Sequence, residues 1–217
     1  MRNLSKIARR VIITLSLGAV LAAALLLAFQ WGSKWRNDNH YGRMEGWQAI
    51  SGRWSEHSGI LSNRNYGRGD MLIALQSKGT NYGISADIRF DLLFPETGYG
   101  DAGLVIRTSD PEQGVDSYQG YYAGIRPNYQ TIVLGRASYD WHELRSETLI
   151  TPIAVGDWYH LELAVKGCQL TVTATPEENR PPTRMEYTDN HCLTEGVAGL
   201  RSFYAQASWR NLRITAN

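Results

Sequence analysis

Residues 82–91 alternate without a break. Tyr82, Ile84, Ala86, Ile88 and Phe90 fall on one parity, and Ser85, Asp87, Arg89 and Asp91 on the other. An extended chain with that pattern has one apolar and one wet face, which a helix cannot reproduce. Residues 158–166 repeat the pattern with Tyr159, Leu161, Leu163 and Val165. Residues 168–175 follow with Leu170, Val172 and Ala174 after a turn at Gly167, so the two runs form a hairpin. Further strands are expected at 71–75, 103–107, 118–126, 131–136, 197–203 and 207–214. Gly, Asn, Asp and Pro clusters separate them, and no ten-residue stretch from Gly46 onward has a helical period. Ten or so strands with one apolar face each are best buried as an all-β, two-sheet antiparallel sandwich or jelly roll, with a closed barrel as the alternative. Residues 175–190, with Pro176, Pro181 and Pro182 among charges, read as an exposed loop.

The N-terminal end follows different rules. Residues 11–29 carry no charge and only Thr14, Ser16 and Gly18 as interruptions. At 1.5 Å per residue a helix of that length nearly spans a hydrocarbon core of roughly 30 Å. Arg2, Lys6, Arg9 and Arg10 precede it, so the positive-inside bias predicts a cytoplasmic N-terminus and an extracytoplasmic C-terminal part. A cleaved signal peptide is the rival. The apolar run is longer than such signals usually have, and Ala28-Phe29-Gln30 offers no small-x-small site. The expected organisation is therefore a basic cytoplasmic segment at 1–10, a transmembrane signal anchor at 11–30, a linker at 31–45 and one domain at 46–217.

Export gives the two cysteines a meaning. Cys168 and Cys192 would meet an oxidising compartment, and a disulfide between them is expected. Closing a loop of about 25 residues stabilises a fold by roughly 3 to 4 kcal/mol in the chain-entropy model. The 22 basic and 21 acidic residues nearly cancel, so no nucleic-acid partner is expected.

Candidate sites are sparser. Residues 118–126 place Tyr118, Gly120, Tyr122, Gly124 and Arg126 on one face. Glycines between tyrosines would leave flat room for a sugar ring, with Arg126 donating to hydroxyls; the alternative is that the tyrosines pack under a covering loop. Asp87, Arg89 and Arg107 lie on polar faces of neighbouring strands and would converge with Tyr122 on a concave groove, or else form structural ion pairs with each other and with Asp101. Tyr139-Asp140-Trp141-His142-Glu143 gathers carboxylates, an indole and an imidazole in what reads as a surface loop. Its spacing gives no ready carboxylate pair at glycosidase separation. Asp110, Glu112 and Asp116 are the candidate ligands for a structural calcium ion, without the regular spacing of a known calcium loop. No other cofactor is implied.

Several motifs together resemble the concanavalin A-like lectin and glucanase superfamily, and within it the domain family named for 3-keto-disaccharide hydrolase. Gly46-Trp47-Gln48-Ala49-Ile50-Ser51-Gly52-Arg53-Trp54 with Gly59-Ile60-Leu61 is similar to that family's opening. Asp101-Ala102-Gly103-Leu104-Val105-Ile106-Arg107 resembles its strand from glycine to arginine. Gly156-Asp157-Trp158-Tyr159-His160-Leu161, and Ala207-Ser208-Trp209-Arg210-Asn211-Leu212-Arg213-Ile214 after 196–200, resemble its later strands. The resemblance spans about residues 46–215 and rests mostly on structural glycine, tryptophan and apolar positions. It implies the jelly-roll fold and, through the family name, a hydrolase acting on a glycoside or oxidised disaccharide. The Glu-x-Asp-x-x-Glu pattern of retaining glucanases is absent, and Gly100-Asp101-Ala102-Gly103 stands where Asn-Ser-Gly often precedes the apolar strand. Folds of this kind host lectins, hydrolases and interaction modules. The expected ligand is a saccharide, held by Arg89, Arg107, Tyr118, Tyr122, Arg126 and Trp141. Asp87 and Asp140 are the carboxylates to test first if the chain is an enzyme, and a protein-interaction module of the cell envelope is the third reading.

Overall fold

The alternation at residues 82–91 becomes one of the two longest strands of the second sheet. Tyr82, Ile84, Ala86, Ile88 and Phe90 are all buried in it, while Ser85, Asp87, Arg89 and Asp91 stay half-exposed. The computed structural model describes residues 45–77, 79–177 and 180–216. The expected basic segment, membrane span and nearly all of the linker lie outside them. Among the described residues no helix is long and apolar enough to cross a membrane.

Among the described residues fourteen strands, numbered in chain order, form two sheets in which every pairing is antiparallel. The first sheet runs β1 (Trp47–Ala49), β4 (Arg68–Ala74), β13 (Val197–Phe203), β6 (Asp101–Ser109), β7 (Gln119–Arg126), β8 (Thr131–Ser138), β9 (Trp141–Thr148). The second runs β12 (Thr183–Thr188), β11 (Gln169–Pro176), β10 (Trp158–Lys166), β5 (Tyr82–Leu93), β14 (Ala205–Ala216), β3 (Ile60–Asn63), β2 (Trp54–His57). The fold is thus the expected all-β sandwich and not the closed barrel. The inner faces enclose one core, built from residues such as Leu72, Leu104, Tyr121 and Leu200 of the first sheet and Ile88, Leu161, Val172 and Trp209 of the second. Fully burying each aliphatic side chain of that size contributes about 1.5 to 3 kcal/mol.

The β10–β11 hairpin closes on a two-residue turn, Lys166 pairing with Gln169, with Gly167 at φ 57° in its first position. That left-handed backbone suits glycine in a tight hairpin turn. Cys168 in this turn is disulfide-bonded to Cys192, as expected, with Cα atoms 5.4 Å apart.

Two segments expected as loops are strands. β12 falls within 175–190: the prolines there all precede it, and Met185 opposite Val172 turns into the core. β9 takes the segment that begins at Trp141. It pairs with β8 at the edge of the first sheet and carries His142, Glu143, Arg145 and Glu147, charges of the kind that protect an edge from further pairing.

A candidate pocket on the outer face of the first sheet

The outer face of the first sheet is a second, smaller apolar layer. Met71, Ile73, Val105, Tyr118, Tyr122, Val133 and Ala137 are buried there, with Ile50, Trp141 and Val197 packed against them. The parity expected for Tyr118 and Tyr122 holds, but the open platform does not, because both rings are only 1% exposed. The glycines explain this. A Cβ on Gly124 would lie 2.1 Å from the Tyr122 hydroxyl, one on Gly120 3.0 Å from the Tyr118 ring, and one on Gly135 2.1 Å from the Trp141 ring. Each glycine seats a neighbouring aromatic ring flat on the sheet instead of leaving room for a sugar.

Where this layer thins, a pocket of about 150 Å³ opens between Tyr99, Asp101, Asp116, Tyr122, Arg126, Trp141, Arg201 and Phe203. Its floor is a buried charge cluster. Asp101 and Arg201 are each 4% exposed. Arg201 donates to Asp101 at 3.3 Å and to Asp116 at 2.7 Å, the latter residue turned toward it by a left-handed backbone at φ 51°. The Tyr122 hydroxyl donates to Asp101 at 2.6 Å, and the Arg201 guanidinium lies 4.5 Å over the Tyr122 ring. On the β9 side Arg126 donates to Glu143 at 2.8 Å, and Trp141 meets Tyr122 edge-on at 6.0 Å.

Burial raises the Asp101 carboxyl above the usual carboxylate range, against the pull of Arg201 and of the Tyr122 hydroxyl. Burial also pushes Tyr99 up to about 12, helped by Asp101, and holds Tyr122 well above its ordinary value. Burial disfavours the Arg126 charge, but Glu143 and Asp101 together raise it. Few buried polar atoms lack a partner among the described residues. Two of those that do are N–H groups of pocket arginines, Arg126 Nε and Arg201 Nε; the Tyr118 hydroxyl behind them is a third. Buried donors without acceptors are costly to keep in a fold.

The structure brings three of the expected residues, Tyr122, Arg126 and Trp141, into this pocket, with Tyr118 behind it. It separates the others. Consecutive strands β5 and β6 sit in different sheets, so their polar faces point in opposite directions and Arg89 and Asp87 lie on the far side of the sandwich. There Arg89 pairs with Asp91 at 2.7 Å and stacks on Trp158, and Asp87 accepts from Asn211 at 2.7 Å and Arg210 at 3.2 Å and pairs with His160 Nδ1 at 2.8 Å. Arg107 is a structural residue. It sits in a β6 bulge at φ 51°, 2% exposed, and its guanidinium donates to the carbonyls of Thr80, Gly167 and Leu193, tying the sheet to the loops beside the disulfide. Asp140 is exposed and pairs with His142 at 3.1 Å just before β9 of the first sheet, whereas Asp87 lies in β5 of the second. Among the described residues no group of three or more His, Cys, Asp and Glu is placed to hold a metal ion, and the Asp116 expected as a calcium ligand is engaged by Arg201 instead.

Sequence reasoning missed Arg201, Tyr99 and Phe203, and gave Asp101 only an ion-pair role. One signal was present: Arg201 is the single charge in the otherwise apolar and small strand Val197–Phe203, and a charge in a central strand needs a buried partner.

A two-sheet jelly roll with a polar pocket walled by aromatic rings on one outer face is a concanavalin A-like architecture. The chain belongs to the 3-keto-alpha-glucoside-1,2-lyase-like domain family, whose profile matches residues 33–215. No curated protein matches it in sequence. Among solved structures it is similar in fold to the carbohydrate-binding module CBM66 from Bacillus subtilis, with a TM-score of 0.65 and 19% identity over 80% of this chain and 98% of that one. It is also similar to a protein of unknown function with a galectin-like fold from Bacillus subtilis, with a TM-score of 0.59 and 15% identity over 78% and 89% of the two chains. The VIP36 exoplasmic/lumenal domain, solved with Ca2+ and Man3GlcNAc bound, has a TM-score of 0.58 and 15% identity over 81% and 85%. At these identities the likeness is one of fold.

Proposed function

We propose that the domain binds a saccharide in the pocket between Trp141, Tyr99 and Phe203, over the Asp101–Arg201 floor. The observation that carries this reading is the pairing of aromatic walls with the guanidinium groups of Arg126 and Arg201 around one small opening. A sugar presents an apolar ring face and an edge of oxygen acceptors together, and such a pocket matches both. The carbohydrate-binding module and the mannoside-bound lumenal domain that share this fold support the ligand class. In this reading the apolar run at 11–29 anchors the chain as a single-pass membrane protein with the domain outside the cytoplasm. The Cys168–Cys192 disulfide fits an oxidising compartment.

The test is a glycan array followed by calorimetric titration of the full chain. Trp141→Ala, titrated well below its own unfolding midpoint because the ring also packs against Tyr122, should weaken binding by about 1 kcal/mol or more. Equal affinity of the variant and the parent chain would move the site elsewhere. Failure of every glycan together with capture of a defined protein partner would favour an interaction module.

A second reading has its own observation. The family name describes activity on 3-keto-α-glucosides, and Asp101, a buried carboxyl raised in pKa beside a pocket, is the kind of perturbed group that acid–base chemistry uses. Turnover of a 3-keto-α-glucoside that disappears in Asp101→Asn, with the fold retained, would place the chain among enzymes.

A further inference from the structure

The pocket does not end the aromatic surface. Phe203, on its wall, touches Tyr99 at 5.8 Å between ring centroids, and Tyr99 touches Tyr129 at 5.9 Å. In the other direction Phe203 meets Tyr204 at 4.4 Å, Tyr204 meets Phe94 at 4.9 Å, and Phe94 meets Tyr66 at 6.1 Å. Topology gathers them: the ends of β13 and β5, the β3–β4 loop and the β7–β8 turn all lie at one end of the sandwich. Phe203, Tyr99, Tyr204, Phe94 and Tyr66 are each half-buried and Tyr129 is 62% exposed, so the strip keeps one side in water. Arg68, exposed, stands over the Tyr204 ring at 5.8 Å and adds a donor beside it.

A core would hide such rings, and a loop that only needed solubility would not line them up from a pocket mouth. From the continuity of this strip with the pocket we infer that the ligand is a saccharide chain of several units, with one sugar in the pocket and its neighbours on the rings to either side. The inference rests on the saccharide reading of the pocket. It adds extended subsites in which Tyr66, on one arm, and Tyr129, on the other, select for chain length. Neither residue lines the pocket. Each flat ring offers a face to an apolar sugar face, and the phenol oxygens add hydrogen-bond capacity at the strip's edge.

The test titrates the full chain with monomer through tetramer of the malto-, cello- and manno-oligosaccharide series. Affinity in the series that binds should rise from monomer to trimer or tetramer by about three- to tenfold for each added aromatic contact. Tyr66→Ala and Tyr129→Ala should each remove part of that rise while leaving monomer affinity and the unfolding midpoint unchanged. A monomer that binds as tightly as its tetramer overturns the inference and leaves the pocket reading intact. A length-dependent gain that neither variant lowers also overturns it, because the added sugars then rest elsewhere. Silence in all three series, with no response from the array to the parent chain, removes the pocket reading and this inference together.

Discussion

The two outer faces of the sandwich carry similar residue types and meet water very differently. On the first sheet Asp101, Arg201 and Tyr122 are packed beneath aromatic rings, and their charges answer each other at 3.3 Å or less. On the second, Asp87, Arg89, His160 and Arg210 form a similar lattice of pairs, but the arginine side chains remain 31% exposed and the histidine 41%. The difference comes from the glycines. Gly120, Gly124 and Gly135 let rings lie down on the first sheet, which excludes water and raises the worth of every polar contact there. On the second sheet the paired charges stay partly solvated and weakly coupled. One face has become a site with high electrostatic stakes, and the other is a solvated surface.

The largest test of that contrast is Arg201→Ala. It leaves Asp101 and Asp116 facing each other without the cation between them, and unfolding in urea should show a loss of about 3 to 5 kcal/mol. A loss below about 1 kcal/mol would mean that the first face is no drier than the second. Glycine replacements give the next effect. Gly124→Ala forces a methyl against the Tyr122 ring and should cost about 1 to 3 kcal/mol. Gly83→Ala on the second sheet meets Ala164 at an ordinary 3.4 Å, and its cost should stay within about 0.5 kcal/mol. Comparable losses in both would remove the glycine explanation.

The two faces should also respond to pH with opposite signs. Asp101 has its folded pKa raised, mainly by burial, so its contribution to stability is present below the ordinary carboxylate range and is lost as pH rises through its folded value. Asp87 has its folded pKa lowered, because the bonds from His160, Asn211 and Arg210 outweigh the burial that pushes it up. Its contribution is present above the ordinary range and lost as pH falls. Across a series of unfolding curves from acid to neutral pH, Asp101→Asn should gain on the parent chain as pH rises and Asp87→Asn should fall behind it. Parallel profiles for the two variants would break the comparison. The smallest effect expected is that of Arg89→Ala. It removes one exposed ion pair and one stacked guanidinium, and thermal unfolding should register about 0 to 1 kcal/mol.

Much of this was legible along the chain, and the boundary is physical. Strand β10 appears at the expected residues because its apolar parity is unbroken, and β13 because it is a short, mostly apolar and small run. β12 was hidden because prolines immediately precede it, although none falls inside it. β9 was hidden because an edge strand needs no apolar face of its own. For the pocket, the parity of residues 118–126 correctly set Tyr122 and Arg126 on one side. It could not tell an exposed ring from one lying flat over a glycine two positions away, since both readings use the same residues.

What the sequence determined by itself is therefore local: period-two patterning, the turn at Gly167, the pairing of the only two cysteines, and the family to which residues 33–215 belong. Those follow from neighbours along the chain or from a count that admits one answer. The tertiary structure decided what shares a face. It put β5 and β6 in opposite sheets and so parted Arg89 from Tyr122, and it brought Arg201 from residues near the C-terminus beside Asp101. A charge at one position finds its partner a hundred residues away only when two strands pair, and that pairing is fixed by the burial of all the strands together.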